Sequence, residues 1–327
     1  MNLGANIIAS FFLVLGASFF SNLFLIRLLA KKNIIDRPNG RSNHVHATPR
    51  GGGIGILFSL ILGFVYLSQT NEHSLDFMLI LMMVFLAVLS FCDDIKSLSP
   101  LVRLLAQVVV CWIGISFFFS NNLFFGGFFP KALDHALVTF FWVGFINIFN
   151  FMDGINGISF LESLTIFLGI FLLSVLKTDQ ELYDNVCLLG IAAISGFAIL
   201  NLRGKIFLGD VGSIILGFLL GFLLLNLWIK ESPFYALVLP LYYFADAGTT
   251  LLKRIIKKER IWEAHSKHLY QRAYRGCKSQ NKVLWVVAAG NAGYILLCLM
   301  MEKEFILFIG GSILLMQFLI LERYAKN

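Results

Sequence analysis

Long stretches of this chain carry almost no charge, and most end at a short segment rich in Gly, Asn, Asp, Arg or His. A helix needs about 20 apolar residues to cross the hydrocarbon core of a bilayer. Eleven runs of roughly that length recur, at about 5–29, 50–69, 75–92, 101–120, 135–152, 158–176, 185–202, 211–229, 233–252, 281–300 and 303–321. The pattern predicts an all-α integral membrane protein with about 11 transmembrane helices, organised as a single polytopic domain over residues 1–327. No internal repeat, soluble domain or low-complexity linker interrupts it.

Composition agrees with the pattern. Hydrophobic residues make up 58% of the chain and charged residues 14%, against about 25% charged in a soluble domain. Retained Lys and Arg mark the cytoplasmic side of a membrane protein. Of the 26 here, 22 fall in the loops after odd-numbered spans or the C-terminal tail, and only Lys131, Lys177, Lys230 and Lys303 fall opposite. The expected topology is therefore N-terminus outside and C-terminus cytoplasmic. The net charge of +7 records orientation, not a nucleic-acid partner. The first 30 residues lack the basic n-region of a signal peptide and are expected to remain as a span. Five cysteines, an odd number mostly inside spans, argue against a disulfide framework.

Polar residues collect on the predicted cytoplasmic side, in loops at about 30–50, 92–101, 150–158, 202–211 and 253–282. Carboxylates at a membrane edge are costly and usually functional. Asp93, Asp94, Asp153 and Asp210 all sit at span boundaries on this side. Adjacent acids at a helix C-terminus, as at Asp93 and Asp94, oppose the helix dipole and call for a positive partner. For one pair alone Lys96 and Arg103 nearby would suffice, but four aspartates on one face favour a hard cation such as Mg²⁺, which takes one or two carboxylates and completes its shell with water and phosphate oxygens.

Asp210 opens a span in FLGDVGS, where flanking glycines and a helix N-terminus suit an anion, although an N-cap Asp is an equally ordinary reading. Asn150, Asp153 and Asn156 lie in NFMDGING, a turn rich in capping residues. Asp246 and Glu162 are charges inside spans, expected to serve either a polar network or the support of the site. In the last loop His265, Lys267, His268, Arg272 and Arg275 suit a phosphate clamp better than zinc. Arg37, Arg41, His44, His46 and Arg50 are similarly mixed in the first loop, beside Gly51, Gly52 and Gly53; positive-inside placement accounts for the arginines but not for the glycines.

Five stretches taken together, DRPNGRSNH with TPRGGG, CDDIKSLSP, NIFNFMDGINGIS, FLGDVGSIILG and HSKHLYQRAYR, resemble the polyprenyl-phosphate N-acetylhexosamine-1-phosphate transferases of glycosyl transferase family 4. The resemblance runs from Asp36 to Arg275. It implies transfer of a sugar 1-phosphate from a UDP-N-acetyl sugar to undecaprenyl phosphate, with release of UMP. It also implies Mg²⁺, or Mn²⁺ as an alternative, and a multi-pass protein of the bacterial inner membrane whose site faces the cytoplasm; a homodimer is compatible with it. Carried over by motif, Asp93, Asp94, Asp153 and His268 are the implied catalytic residues and Asp210 the implied metal ligand. Asn150, Asn156 and Phe207 would line the nucleotide end, and Arg41, His44, Arg50, His265, Lys267 and Arg272 would contact substrate.

This chain departs from the family pattern at three places. His268-Leu269-Tyr270-Gln271 replaces His-x-His-His, Asn156 replaces the second Asp of Asp-Gly-x-Asp-Gly, and Ser42 replaces a Lys. These departures make the muramoyl-pentapeptide enzymes a poor match, and the RSNH, TPRGGG and HSKHLYQR stretches look more like the branch that starts O-antigen or other surface polysaccharides. Two rival readings are a transporter or flippase, which predicts midplane polar residues and repeated halves, and a CDP-alcohol phosphatidyltransferase, whose spacing of Asp residues NFMDGINGISF lacks.

Overall fold

The computed structural model describes residues 4–38, 47–69, 77–96, 98–177, 183–260 and 265–326. Helix α1 (Ala5–Lys31) leads into a two-residue ladder of β1 (Ile35–Asp36) with β2 (Thr48–Pro49), antiparallel. Then follow α2 (Gly52–Gln69), α3 (Phe77–Lys96), α4 (Pro100–Phe118), α5 (Lys131–Phe151), α6 (Ile158–Leu176), α7 (Asp184–Asn201) and α8 (Gly209–Lys230). The chain closes with α9 (Pro233–Val238), α10 (Leu241–Ile256), α11 (Leu269–Cys277), α12 (Gln280–Met300) and α13 (Lys303–Ala325).

Among the described residues ten helices are long and apolar enough to cross a membrane. They account for ten of the eleven predicted spans. The remaining one, 233–252, is interrupted, because Pro240 has no N–H to donate and its ring rejects the helical carbonyl behind it. Helix α9 therefore ends after six residues, and α10 restarts at Leu241 with strong two-sidedness. Tyr242, Tyr243, Asp246, Thr250 and Arg254 are buried on one face, while Leu252, Ile255 and Ile256 are exposed on the other.

Helix α8 is the axis of the molecule. Its sequence is apolar all round, which suits a helix enclosed by protein, and 89% of its most hydrophobic 18-residue stretch is buried. It packs against α2, α3, α5, α6 and α9. Trp142 of α5 stacks on Phe218 of α8 with centroids 4.8 Å apart and donates its indole N–H to the Phe218 carbonyl at 3.0 Å. Against α2 the approach is backbone to backbone: a Cβ on Gly53 would stand 2.1 Å from the Cα of Gly212. That accounts for the glycine run left over by the positive-inside reading. Its use is close packing of two helices, which brings the loop before α2 onto the start of α8.

Glu162 belongs to this framework as well. Asn291 Nδ2 of α12 donates to Glu162 Oε2 and to Thr165 Oγ1, both at 2.9 Å, in a buried network joining α6 to α12.

Candidate active site

The segment around Arg50 lies alongside the segment before α8. Phe207 N–H donates to the Pro49 carbonyl at 2.9 Å, and the Phe207 carbonyl accepts from Gly51 N–H and Gly52 N–H at 3.2 and 2.9 Å. Gly209, at φ +73°, takes the left-handed conformation that starts α8 tightly under this pairing. The Arg50 guanidinium is thereby set over Asp210: Nη2 donates to Asp210 Oδ1 and lies 3.5 Å from Asp94 Oδ1.

A second arginine completes the cluster. Arg103 Nη1 donates to Asp93 Oδ2 at 2.7 Å and stands 3.7 Å from Asp210 Oδ2, while Leu98 N–H donates to Asp93 Oδ1 at 2.7 Å. Three carboxylates from α3 and α8 thus alternate with two guanidiniums, from the loop before α2 and from α4. Arg103 sits in the first turn of α4, where a cation opposes the helix dipole just as Asp93 and Asp94 do at the end of α3. Two local electrostatic faults, each unfavourable by itself, cancel across the α3–α4 turn. Arg103 is the functional candidate not carried forward from the sequence, and its visible signal was this misplaced charge.

Asp153 joins the same electrostatic neighbourhood from the α5–α6 turn. Ser159 Oγ donates to its Oδ1 at 2.6 Å. Part of its surface stays accessible, yet burial pushes its carboxyl up to about 6, opposed by the Ser159 hydrogen bond and by Arg50 and reinforced by Asp210. The sign follows from linkage. A carboxyl raised in the folded state helps folding at acidic pH, and this help is lost as pH rises from the ordinary 3.8 through about 6. Asp153→Asn should therefore raise the thermal midpoint at pH 8, with the gain shrinking toward pH 4, while sugar-phosphate transfer falls. Thermal unfolding of the purified protein across that range checks it, and a pH-independent difference would refute the assignment.

Asn156 is held within the same turn. Asn201, at the end of α7, accepts from Gly157 N–H at 2.8 Å, donates to the Ile206 carbonyl at 3.0 Å and approaches Asn156 Oδ1 at 3.5 Å. This ties the α5–α6 turn to the segment before α8. Asn150 is half-buried at the end of α5, and its carbonyl accepts from Asp153 N–H at 3.2 Å. Phe207 is half-buried and enters the site through its backbone pairing with Pro49, Gly51 and Gly52.

The last motif is brought in through α11. A Cβ on Gly154 would lie 2.3 Å from Tyr270 Oη and 2.4 Å from Gln271 Nε2, so the first turn of α11 packs directly on the Asp153–Gly154 turn. Asp246 of α10 orders that first turn. Its Oδ1 accepts from Leu269 N–H at 2.8 Å, and its Oδ2 accepts from Tyr270 N–H and the Tyr242 hydroxyl, both at 3.1 Å. A buried carboxylate thus caps a helix from a different helix. The adjacent His268 is 1% exposed, with Nδ1 3.5 Å from Asp246 Oδ1. His265 lies against it at a centroid distance of 4.9 Å. Burial, then His268, Arg254 and Lys267, push the His265 imidazole down to about 4. Consistent with a neutral ring, its Nδ1 accepts from Lys267 N–H at 3.3 Å.

Lys267 and Arg272 take other partners. Lys267 Nζ pairs with Glu259 at 2.6 Å, and the Arg272 guanidinium forks onto both oxygens of Glu322 at 3.0 and 2.8 Å. Neither is engaged with the carboxylate cluster in this arrangement. Arg41 and His44 lie outside the described residues.

Asp93, Asp94 and Asp210 contribute carboxylate oxygens, the donor type that suits a hard divalent cation. Both Asp210 oxygens face guanidinium nitrogens, and among the described residues no group of three His, Cys, Asp or Glu is disposed to hold an ion. Oxygen donors of this kind would suit Mg²⁺ shared with a phosphate ligand better than a closed protein cage.

Residues 76–227 match the model of glycosyl transferase family 4. That segment carries Asp93, Asp94, Asp153 and Asp210. The chain is 26% identical over 256 residues to the probable undecaprenyl-phosphate N-acetylglucosaminyl 1-phosphate transferase of Bacillus subtilis (strain 168), covering 75% of this chain and 71% of the relative. It is 25% identical over 260 residues to the undecaprenyl-phosphate alpha-N-acetylglucosaminyl 1-phosphate transferase of Thermotoga maritima, covering 78% and 79%. It is 28% identical over 235 residues to the phospho-N-acetylmuramoyl-pentapeptide-transferase of Wolbachia pipientis wMel, covering 65% and 71%. Overall identity therefore does not separate the two kinds of relative.

Proposed function

We propose, from the premise that this chain belongs to the glycosyl transferase family 4 superfamily of polyprenyl-phosphate hexosamine-1-phosphate transferases, that it moves an N-acetylhexosamine 1-phosphate from its UDP-sugar to undecaprenyl phosphate. The observation that carries this reading is the convergence of Asp93, Asp94 and Asp210 with Arg50 and Arg103 at one set of helix ends. In the reaction an oxygen of the lipid phosphate attacks the sugar-linked phosphorus. A new P–O bond forms as the P–O bond to UMP breaks. Such a transfer needs positioning and charge neutralisation more than covalent help from protein.

Asp210, with Asp94 beside it, would hold Mg²⁺. The ion, when bound, supplies positive charge to the diphosphate oxygens. Arg50 and Arg103 serve the same anions directly, each forked group offering donors that match phosphate. Asp93 has both oxygens committed, to Leu98 N–H and Arg103, so it positions Arg103. Asp94, in salt-bridge range of Arg50 at 3.5 Å, is the member of the pair better placed to orient an incoming phosphate. A phosphate whose second pKa is near 6 needs little base assistance at neutral pH. His268 and the Asp153 turn would bound the sugar and nucleotide, with the Phe207 ring against uracil.

The distribution of 22 of 26 basic residues supports a cytoplasmic site in a bacterial inner membrane. The role in surface polysaccharide synthesis rests on the RSNH, TPRGGG and HSKHLYQR stretches. The test is direct. Membranes containing the protein, given undecaprenyl phosphate, Mg²⁺ and a panel of UDP-N-acetyl sugars, should release UMP and form lipid-linked sugar in equal amounts with one sugar preferred. Chelation should stop both. Release of UDP, or no lipid product with any sugar, would overturn the reading.

A further inference from the structure

We infer that the cavity between α10, α11 and α13 binds the phosphate headgroup of an anionic phospholipid, at a site separate from the carboxylate cluster. The cavity measures about 350 Å³, and its wall includes Lys253, Arg254, Lys257, Lys267 and Arg272 against only Glu259 and Glu322. Five cations face two carboxylates.

The carboxylates are already used. Glu322 takes the fork of Arg272, and Glu259 takes Lys267 at 2.6 Å and Arg254 at 3.2 Å. Among the described residues the ammonium groups of Lys253 and Lys257, one helical turn apart, make neither an ion pair nor a hydrogen bond. Two ammonium groups lining one cavity without an anion form a site of net positive charge. Both lysines are exposed at the mouth of the cavity, whose wall Leu269, Phe318 and the clamped Arg272 complete.

The rest of α10 indicates which anion. Leu252, Ile255 and Ile256, interleaved with these lysines, are 57%, 55% and 72% exposed. A free phosphate has no use for that apolar flank. A lipid does: its headgroup enters the basic cavity while its acyl chains run along the exposed isoleucines and leucine. Juxtamembrane lysines attract anionic lipid strongly enough that removing two should weaken retention by about tenfold or more. The helix that carries these lysines also carries Asp246, so a seated lipid would brace the α10–α11 junction. The assignment does not depend on the transfer reaction.

The experiment uses the detergent-purified full chain and native mass spectrometry, with dioleoyl phosphatidylglycerol, dioleoyl phosphatidylcholine or inorganic phosphate as probes. The wild type should retain one phosphatidylglycerol about tenfold more tightly than Lys253→Gln/Lys257→Gln. A control, Lys31→Gln/Lys32→Gln, should behave as wild type, and millimolar inorganic phosphate should not displace the lipid. Equal retention by the α10 variant would overturn the site. Equal retention of phosphatidylcholine, or displacement by inorganic phosphate alone, would overturn the anionic lipid as its occupant.

Discussion

Asp210→Asn is expected to lower sugar-phosphate transfer by about 10²–10³-fold while leaving the protein folded in membranes. The substitution is nearly isosteric, so the close approach of α2 to α8 at Gly53 and Gly212 survives. What changes is charge. Three carboxylates set against Arg50 and Arg103 become two, and the side chain that faces both guanidiniums becomes a neutral amide. Turnover at saturating UDP-sugar and lipid phosphate, read beside the thermal midpoint, separates the alternatives. A midpoint near wild type with collapsed turnover supports a role in transfer. Turnover within about threefold of wild type would reduce Asp210 to an N-terminal helix residue paired with arginine.

Removing the Asp246 side chain should have the second-largest effect. In Asp246→Ala the N–H groups of Leu269 and Tyr270 and the hydroxyl of Tyr242 lose a buried acceptor. Each orphaned donor costs about 1–3 kcal/mol. The first turn of α11 loosens, and His268 with it. We expect kcat to fall about 10²-fold, with Asp246→Asn intermediate because its amide keeps only one acceptor oxygen. A merely structural role would give the same ranking in stability, so a double-mutant cycle is needed. If Asp246 acts by placing His268, then Asp246→Ala with His268→Ala should turn over no more slowly than the slower single variant. Full additivity of the two losses would reject that link.

Much of the candidate site was legible in the sequence, for a definite reason. Charged and capping residues cannot be spread along lipid-exposed helices, so Asp93, Asp94, Asp153 and Asp210 had to stand out at span ends. The dipole argument at Asp93 and Asp94 correctly demanded compensation. Arg103, one of the two nearby partners considered, supplies it to Asp93. Arg50, across the fold, contacts both Asp94 and Asp210. By contrast, Lys267 and Arg272 looked like phosphate ligands beside the histidines, yet Glu259 and Glu322 claim them. Glu322 is 50 residues from Arg272, and nothing local announces the pair.

The sequence by itself determined the class of molecule and the placement of its polar segments, because the cost of charge in hydrocarbon acts on each stretch of chain separately. Pro240, read from the sequence as interior to a span at 233–252, instead separates α9 from α10, because inside a helix proline lacks the N–H and its ring clashes with the preceding turn. Tertiary structure alone decided which charges answer one another. Arg50 reaches Asp210 across 160 residues because Gly53 and Gly212 let two backbones touch. Asp246 became the cap of α11 because the chain after Pro240 turns its carboxylate toward Leu269 and Tyr270. Ion pairs and caps of this kind depend on angstrom-scale approach between distant segments, and hydropathy along the chain carries no record of that distance.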